Sequence, residues 1–333
     1  MVKLSLKVSF AAVIVRNPSP SILGIKLCIL GICVIIQSPD RVFGLARTPE
    51  KVKSLEREEV LPIEGSIAST ATLKEAIELL HIDIVVDVAE ANKESYNLLA
   101  LLKDIGEQRL TAASKAGVRI PKLGFIYCGG SWVHGSSNDP INDLMPVAAL
   151  DAPTPPVALS SWRPALEQEV LAASDILDVM VVRPALVYGR SSAIWNFLLQ
   201  PILDAAKAGS ETVSVAAELE SRPALVHVDD VATGFHAAID KLPLISGTGV
   251  YPVFDLVTSQ ESMRDILAAA ASEFDFQGSV HFAGAGEDLF AQAMSCSANA
   301  TSGRAKQILG WDPKKYSFVQ GMDVYARAWL AGR

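Results

Sequence analysis

The chain has 333 residues, half of them apolar and a fifth charged, a composition that supports a large buried core in one large domain or two unequal ones and excludes wholesale disorder. Its 29 Lys and Arg against 37 Asp and Glu leave a net charge of −8, and no basic run stands out, so a nucleic-acid partner is not expected. Four cysteines, Cys28, Cys33, Cys128 and Cys296, are too few and too scattered for a disulfide framework and have no zinc spacing. A reduced, cytoplasmic chain without a bound metal is the expectation.

Residues 1–40 form an apolar segment unlike the rest. Lys3 and Lys7 precede the apolar stretch Val8 to Val15, which ends at Arg16, Asn17 and two prolines; a second stretch, Ile22 to Ile36, is interrupted by Lys26. Neither reaches the roughly 20 unbroken apolar residues of a membrane helix, and no small-x-small cleavage site follows. Two buried strands, or a strand and a short helix, are the preferred reading over a membrane anchor. From Arg41 the pattern is regular. Strands are predicted at Arg41–Ala46, Ile82–Val88, Leu123–Tyr127 and Val179–Val182, and a polar turn at Arg47-Thr-Pro-Glu. Helices are predicted at Ala71–Leu80, Lys93–Ala116 and Pro164–Ser174. Strands apolar on both faces, separated by helices, indicate a parallel sheet covered on both sides, with ligands at the carboxyl ends of its strands. Beyond Gly189 the order loosens, with helices at Ile194–Ala208, Val231–Lys241 and Ser262–Glu273. The fold class is therefore α/β: a Rossmann-like doubly wound parallel sheet over 41–189, and a smaller, mainly substrate-binding domain over 190–333, from which 223–242 returns to the first.

Four segments past these strands carry the chemistry. They are Tyr127-Cys-Gly-Gly-Ser-Trp-Val-His-Gly135, Val182-Arg-Pro-Ala-Leu-Val-Tyr-Gly189, Val226-His-Val-Asp-Asp-Val-Ala232 and Ser302-Gly-Arg-Ala-Lys-Gln-Ile-Leu-Gly-Trp-Asp-Pro313. In order and spacing they resemble the extended short-chain dehydrogenase/reductases, the NAD-dependent epimerase/dehydratase family, from about Arg41 to Trp329. The match is closer to an atypical branch with glycine in place of the second serine of the third-strand motif. The resemblance implies a dinucleotide, NADP slightly favoured over NAD, near Arg47, Ala89, Gly129, Gly130, Arg183 and Pro184. Pro184 fixes the backbone where the nicotinamide end would lie. Arg47 stands where a guanidinium would meet a 2′-phosphate, a solvated surface arginine being the alternative. A small-molecule substrate would lie against Trp132, Tyr188, Trp195 and Phe290, with Met294 beside them. One of Asp229 and Asp230 reads as a helix cap rather than a catalytic group, and His227 as a packed histidine bridging the domains rather than a base. A homodimer is compatible with the resemblance.

The sequence departs from the family twice. No Gly-x-x-Gly-x-x-Gly or Gly-x-Gly-x-x-Gly occurs anywhere, so the turn that lets the backbone approach a pyrophosphate at a helix N-terminus is missing. Residues 1–37 are thus either divergent or a misreading of the gene, and dinucleotide binding is expected to be weak. No tyrosine has a lysine four residues later, so the Tyr-x-x-x-Lys pair is missing too. Glu167-Gln168 place Arg163 at the lysine position and Leu159 at the tyrosine position, while other registers put Trp162 or Arg163 there. The catalytic hydroxyl falls on Gly130, with Ser131 beside it. Ser131 and Arg163 are therefore the candidate catalytic residues. The leading expectation is an atypical NAD(P)-dependent oxidoreductase acting on a small carbonyl, alcohol or sugar-like substrate. The alternative is a catalytically inactive nucleotide-sensing or scaffold protein of the same fold, and a membrane-tethered form of either is a third reading.

Overall fold

The computed structural model describes residues 11–15, 24–29, 32–37, 41–89, 92–190 and 192–332. Contacts divide the chain into two compact units. The first takes the described residues of Met1–Gly129 with Ala165–Val182 and Phe235–Pro252; the second takes Gly130–Pro164, Arg183–Gly234 and Val253–Arg333. The sequence places its boundaries at 40 and 189 instead. The loops after the strands at Cys128 and Val182 group with the second unit, and the returning segment is 235–252.

In the first unit six strands are hydrogen-bonded in the order Leu177–Pro184, Leu123–Cys128, Ile84–Asp87, Ala11–Val15, Arg41–Ala46, Leu61–Glu64. Within 41–189 the pairs are parallel: Arg41–Ala46 with Leu61–Glu64, Ile84–Asp87 with Leu123–Cys128, and the latter with Leu177–Pro184. Every residue of Ile84–Asp87 and Leu123–Cys128 is buried, as expected of strands covered on both faces. The helices Thr70–Leu79 and Asn92–Lys115 lie within two residues of their expected bounds.

The turn expected at Arg47-Thr-Pro-Glu is instead the start of a helix, Pro49–Arg57. Thr48 is its N-cap, its hydroxyl accepting from the Lys51 N–H at 3.4 Å. Pro49 supplies the preset φ of the first turn and Glu50 favours the dipole, while Leu55 is buried at 2 % exposure.

The backbone of the N-terminal segment is strand throughout its described parts. Ala11–Val15 joins the sheet, and Gly24–Ile29 pairs antiparallel with Ile32–Gln37, opposing Cys28 to Cys33. Whether these strands are buried, as expected, lies outside the described residues. Among the described residues no helix is long and apolar enough to cross a membrane.

The second unit carries short strand pairs as well as helices. Leu186–Tyr188 runs parallel to Ala224–His227, Thr212–Val215 to Ser279–Phe282, and Ala298–Ala300 to Ser137–Ile141. Its helices include Asn196–Ala208, Met263–Glu273, Leu289–Met294 and Met322–Ala331. Trp195, Leu198, Ile202, Met263, Leu267 and Trp329 fill one apolar core.

Candidate functional site

At the carboxyl edge of the first unit's sheet, register aligns the strand ends. Asp87 opposes Tyr127 and Cys128 opposes Val182. Ala89 follows the first of these ends, its N–H donating to the Asp87 carboxylate at 2.9 Å, and is 3 % exposed. Gly129 follows the second and donates its N–H to Val182 O at 2.8 Å. Arg47 follows Arg41–Ala46 and is exposed.

Between these ends lies the slot that a family member would fill with its first strand. Here Ala11–Val15 fills it, antiparallel to both neighbours, with Ala11 opposite Asp87 and Val15 opposite Arg41. This strand therefore starts at the carboxyl edge and runs away from it. The family's cradle needs the opposite direction, a central strand that runs into a glycine turn and a helix N-terminus at that edge. The described residues do not fit the pyrophosphate of a dinucleotide held in that way.

In the second unit, Ser131–His134 forms one 3₁₀ turn. Gly130 precedes it with extended backbone, and a Cβ there would meet nothing within 4 Å, so open space lies beside the expected hydroxyl position. Ser131 is 4 % exposed. Arg163 opens the helix Arg163–Ala172, is 9 % exposed, and stacks its guanidinium 4.8 Å from the Trp162 ring centre. Trp132 and Phe290 are half-buried, Phe290 packing edge-on against Phe197.

Three residues expected at the substrate are core residues instead. Tyr188 is fully buried and stacked on Phe318 at 4.5 Å. Trp195 is 1 % exposed, donates its Nε1–H to Val187 O at 2.9 Å, and meets Phe318 edge-on. Met294 is fully buried in the same core. Their aromatic and thioether bodies face other apolar side chains, which satisfies them without a ligand.

Arg183 is likewise buried rather than presented, at 1 % exposure, and it belongs to an ionic cluster that the sequence does not display. Asp255, fully buried in the strand Val253–Leu256, accepts from His134 Nε2 at 2.8 Å and lies 3.9 Å from Arg183 Nη1. Its backbone N–H donates to Asp143 Oδ2 at 3.3 Å, and Asp143 Oδ1 pairs with Arg304 Nη1 at 3.1 Å. Burial, with the negative charge of Asp255 adding to it, holds the Asp143 carboxyl above its ordinary range, against the pull of Arg304.

The aspartates of the Val-His-Val-Asp-Asp segment sit in the first turn of the helix Val228–Ile245 rather than capping it. Asp230 anchors a distant loop: its two carboxylate oxygens accept from the Lys314 and Lys315 N–H groups at 2.8 and 2.9 Å, and its carbonyl from Trp311 Nε1 at 2.8 Å. Asp229 pairs with Arg190 at 2.6 Å. His227 is packed, edge-on to Tyr188, and its Nδ1 accepts from the Asp229 N–H at 3.0 Å. Gly189, at φ +96°, lets the chain pass over it: a Cβ there would lie 2.1 Å from His227 Nε2.

Burial pushes the His227 imidazole down to about 4, the Asp229 charge opposing it. The folded value is below the unfolded value of about 6.5, so the buried neutral ring stabilises the fold fully above that pH, and this stability is lost as pH falls toward 4. His227→Gln is expected to flatten the fall of the urea midpoint across this window; an unchanged slope would exclude His227 as its source.

The NAD dependent epimerase/dehydratase family model matches residues 33–251. The chain belongs to this family. Solved structures share its fold at low identity. A dTDP-glucose 4,6-dehydratase from Bacillus anthracis in complex with NAD is 17 % identical, with 85 % of this chain and 84 % of that one covered and a TM-score of 0.59. A UDP-glucose 4-epimerase from Thermotoga maritima with UDP-glucose is 18 % identical over 86 % and 90 %, at 0.59. A UDP-glucuronic acid 4-epimerase mutant from Bacillus cereus, in complex with UDP-4-deoxy-4-fluoro-glucuronic acid and NAD, is 15 % identical over 85 % of each chain, at 0.60. No curated protein matches the chain. As a member of the NAD-dependent epimerase/dehydratase family, it keeps the parallel strand ends at which the family's ligands lie, and departs at the central strand and at the Tyr-x-x-x-Lys pair.

Proposed function

We propose that the chain is an atypical oxidoreductase of the epimerase/dehydratase family, acting on a small carbonyl, alcohol or sugar-like substrate. One observation carries the reading: Ile84–Asp87, Leu123–Cys128 and Leu177–Pro184 stay parallel and in register, which sets Ala89 and Gly129 at one sheet edge. The proposed dinucleotide contacts are Arg47, Ala89, Gly129, Gly130 and the backbone at Arg183-Pro184. They address the two ends of the cofactor and leave its pyrophosphate without a cradle, so binding is weak. The proposed roles of Ser131 and Arg163 are to hydrogen-bond the reacting oxygen and to supply positive charge. Neither can take the place of the family's phenol as proton donor, so a water or a substrate group fills that role. The experiment is a panel of aldehydes, ketones and free sugars assayed with NADH and NADPH.

The missing phenol favours a second reading, a non-catalytic sensor of the same ligands. Dinucleotide binding without turnover on any member of the panel would replace the first reading with the second. Arg47 gives a separate expected result: Arg47→Ala lowers NADPH affinity about tenfold, near the 1.4 kcal/mol of one exposed charge-assisted contact, and leaves NADH affinity unchanged. Calorimetry on both cofactors checks it, and equal losses for both would remove Arg47 from the 2′-phosphate.

A further inference from the structure

The second unit contains a cavity of about 500 Å³ that begins at Gly135, the last residue of the first motif, and is otherwise lined by residues outside the four motifs. Its volume is in the usual range for small-molecule sites, roughly 300–1,000 Å³. Pro155, Val157 and Ala285 give it an apolar wall. Its polar side chains are held by backbone hydrogen bonds. Glu218 Oε1 accepts from the Ala285 N–H at 2.8 Å, the Ser295 hydroxyl accepts from the Glu218 N–H at 3.0 Å, and Gln292 Nε2 donates to Gly286 O at 2.7 Å. What remains for a ligand is mixed: the second Glu218 oxygen and the Gln292 amide oxygen accept, and the Ser295 hydroxyl proton and the second Gln292 N–H donate. Among the described lining residues Glu218 carries the only charge, and it is negative. A phosphate or carboxylate brought here would meet the exposed Glu218 carboxylate, with no cation among the described lining residues, which disfavours it at short range.

We infer that this cavity is a site for a free, non-anionic polyol, best an amino sugar, and not for a sugar joined to a nucleoside diphosphate. The inference rests on the reading of the second unit as the substrate unit. Ring hydroxyls both donate and accept, matching the mixed set on the wall, and an ammonium group would face the Glu218 carboxylate. The apolar wall suits the C–H face of a sugar ring.

Titration calorimetry of the full chain with D-glucosamine and with UDP-glucose tests this. Glucosamine is expected to bind at least about tenfold tighter than UDP-glucose, a difference of about 1.4 kcal/mol. Glu218→Gln, whose amide oxygen still accepts from the Ala285 N–H, is expected to lower glucosamine affinity about tenfold. Ala158→Phe, at an exposed lining position, fills the cavity and abolishes binding. The inference is overturned if UDP-glucose binds as tightly as glucosamine, if glucosamine does not bind, or if both variants bind glucosamine as the unaltered chain does. The readout is binding alone, so glucosamine binding without turnover in the carbonyl panel would leave this site standing while the oxidoreductase reading fails.

Discussion

Asp255→Asn is expected to destabilise the chain by about 3–5 kcal/mol, the range found when one member of a buried ion pair is removed. The side chain is fully buried, with His134 Nε2 at 2.8 Å and Arg183 Nη1 at 3.9 Å. An asparagine has the same shape, so no cavity opens and the loss is electrostatic. The Arg183 guanidinium, at 1 % exposure, cannot recover hydration when the carboxylate goes. His134→Gln removes a hydrogen-bond partner and not a permanent charge, and it is expected to cost less, on the order of 1–2 kcal/mol. The two substitutions share a partner, so their effects should not add, and a double-mutant cycle by urea unfolding reads the coupling. Wild-type stability in Asp255→Asn would show that the cluster contributes nothing to the fold.

That cluster also shows where sequence reading stops. His134, Asp143, Arg183, Asp255 and Arg304 come from five segments separated by up to 170 residues, and no spacing rule links them. The one local sign is an aspartate at the third position of Val253–Leu256, a strand otherwise apolar and wholly buried, since a buried charge must be paired. The strands Ile84–Asp87 and Leu123–Cys128 are legible because burial on both faces forces apolar residues on nearly every position. The helix Pro49–Arg57 was legible in principle: Thr48-Pro49-Glu50 is a cap, a preset first turn and a dipole partner, and reading it as a turn weighs only the proline. Tyr188 lies in the Val182–Gly189 motif and Trp195 just after it, but position in the chain does not tell which way a side chain faces. The direction of Ala11–Val15 in the sheet is a matter of pairing, and an apolar pentapeptide carries no signal for it. The loss of the glycine turn, by contrast, is plain in the sequence, and the antiparallel strand is its structural counterpart.

Arg163→Ala is expected to lower dinucleotide or substrate affinity tenfold or more, with any turnover falling in parallel. Its location is unfavourable for a cation. Arg163 opens its helix, where the backbone N–H groups already present positive charge, so a cation there works against the helix dipole. It is also largely withdrawn from water, at 9 % exposure, with its guanidinium laid 4.8 Å from the Trp162 ring. The stacking returns part of that cost and fixes the plane of the fork. A fixed, always-charged fork can donate to two ribose hydroxyls or to an oxyanion developing on the substrate, but it cannot act as a base. Arg163→Ala should therefore shift affinity and rate without removing an ionisation between about pH 6 and 9, because a guanidinium does not titrate there. Arg163→Lys keeps the charge and loses the fork and much of the stacking, so it should recover only part of the affinity. Calorimetry and pH–rate profiles on both variants, with thermal unfolding to confirm that each is folded, separate a positioning role from a structural one. Unchanged affinity and rate in a folded Arg163→Ala would make Arg163 a helix-start residue and leave the non-catalytic reading as the better account of the chain.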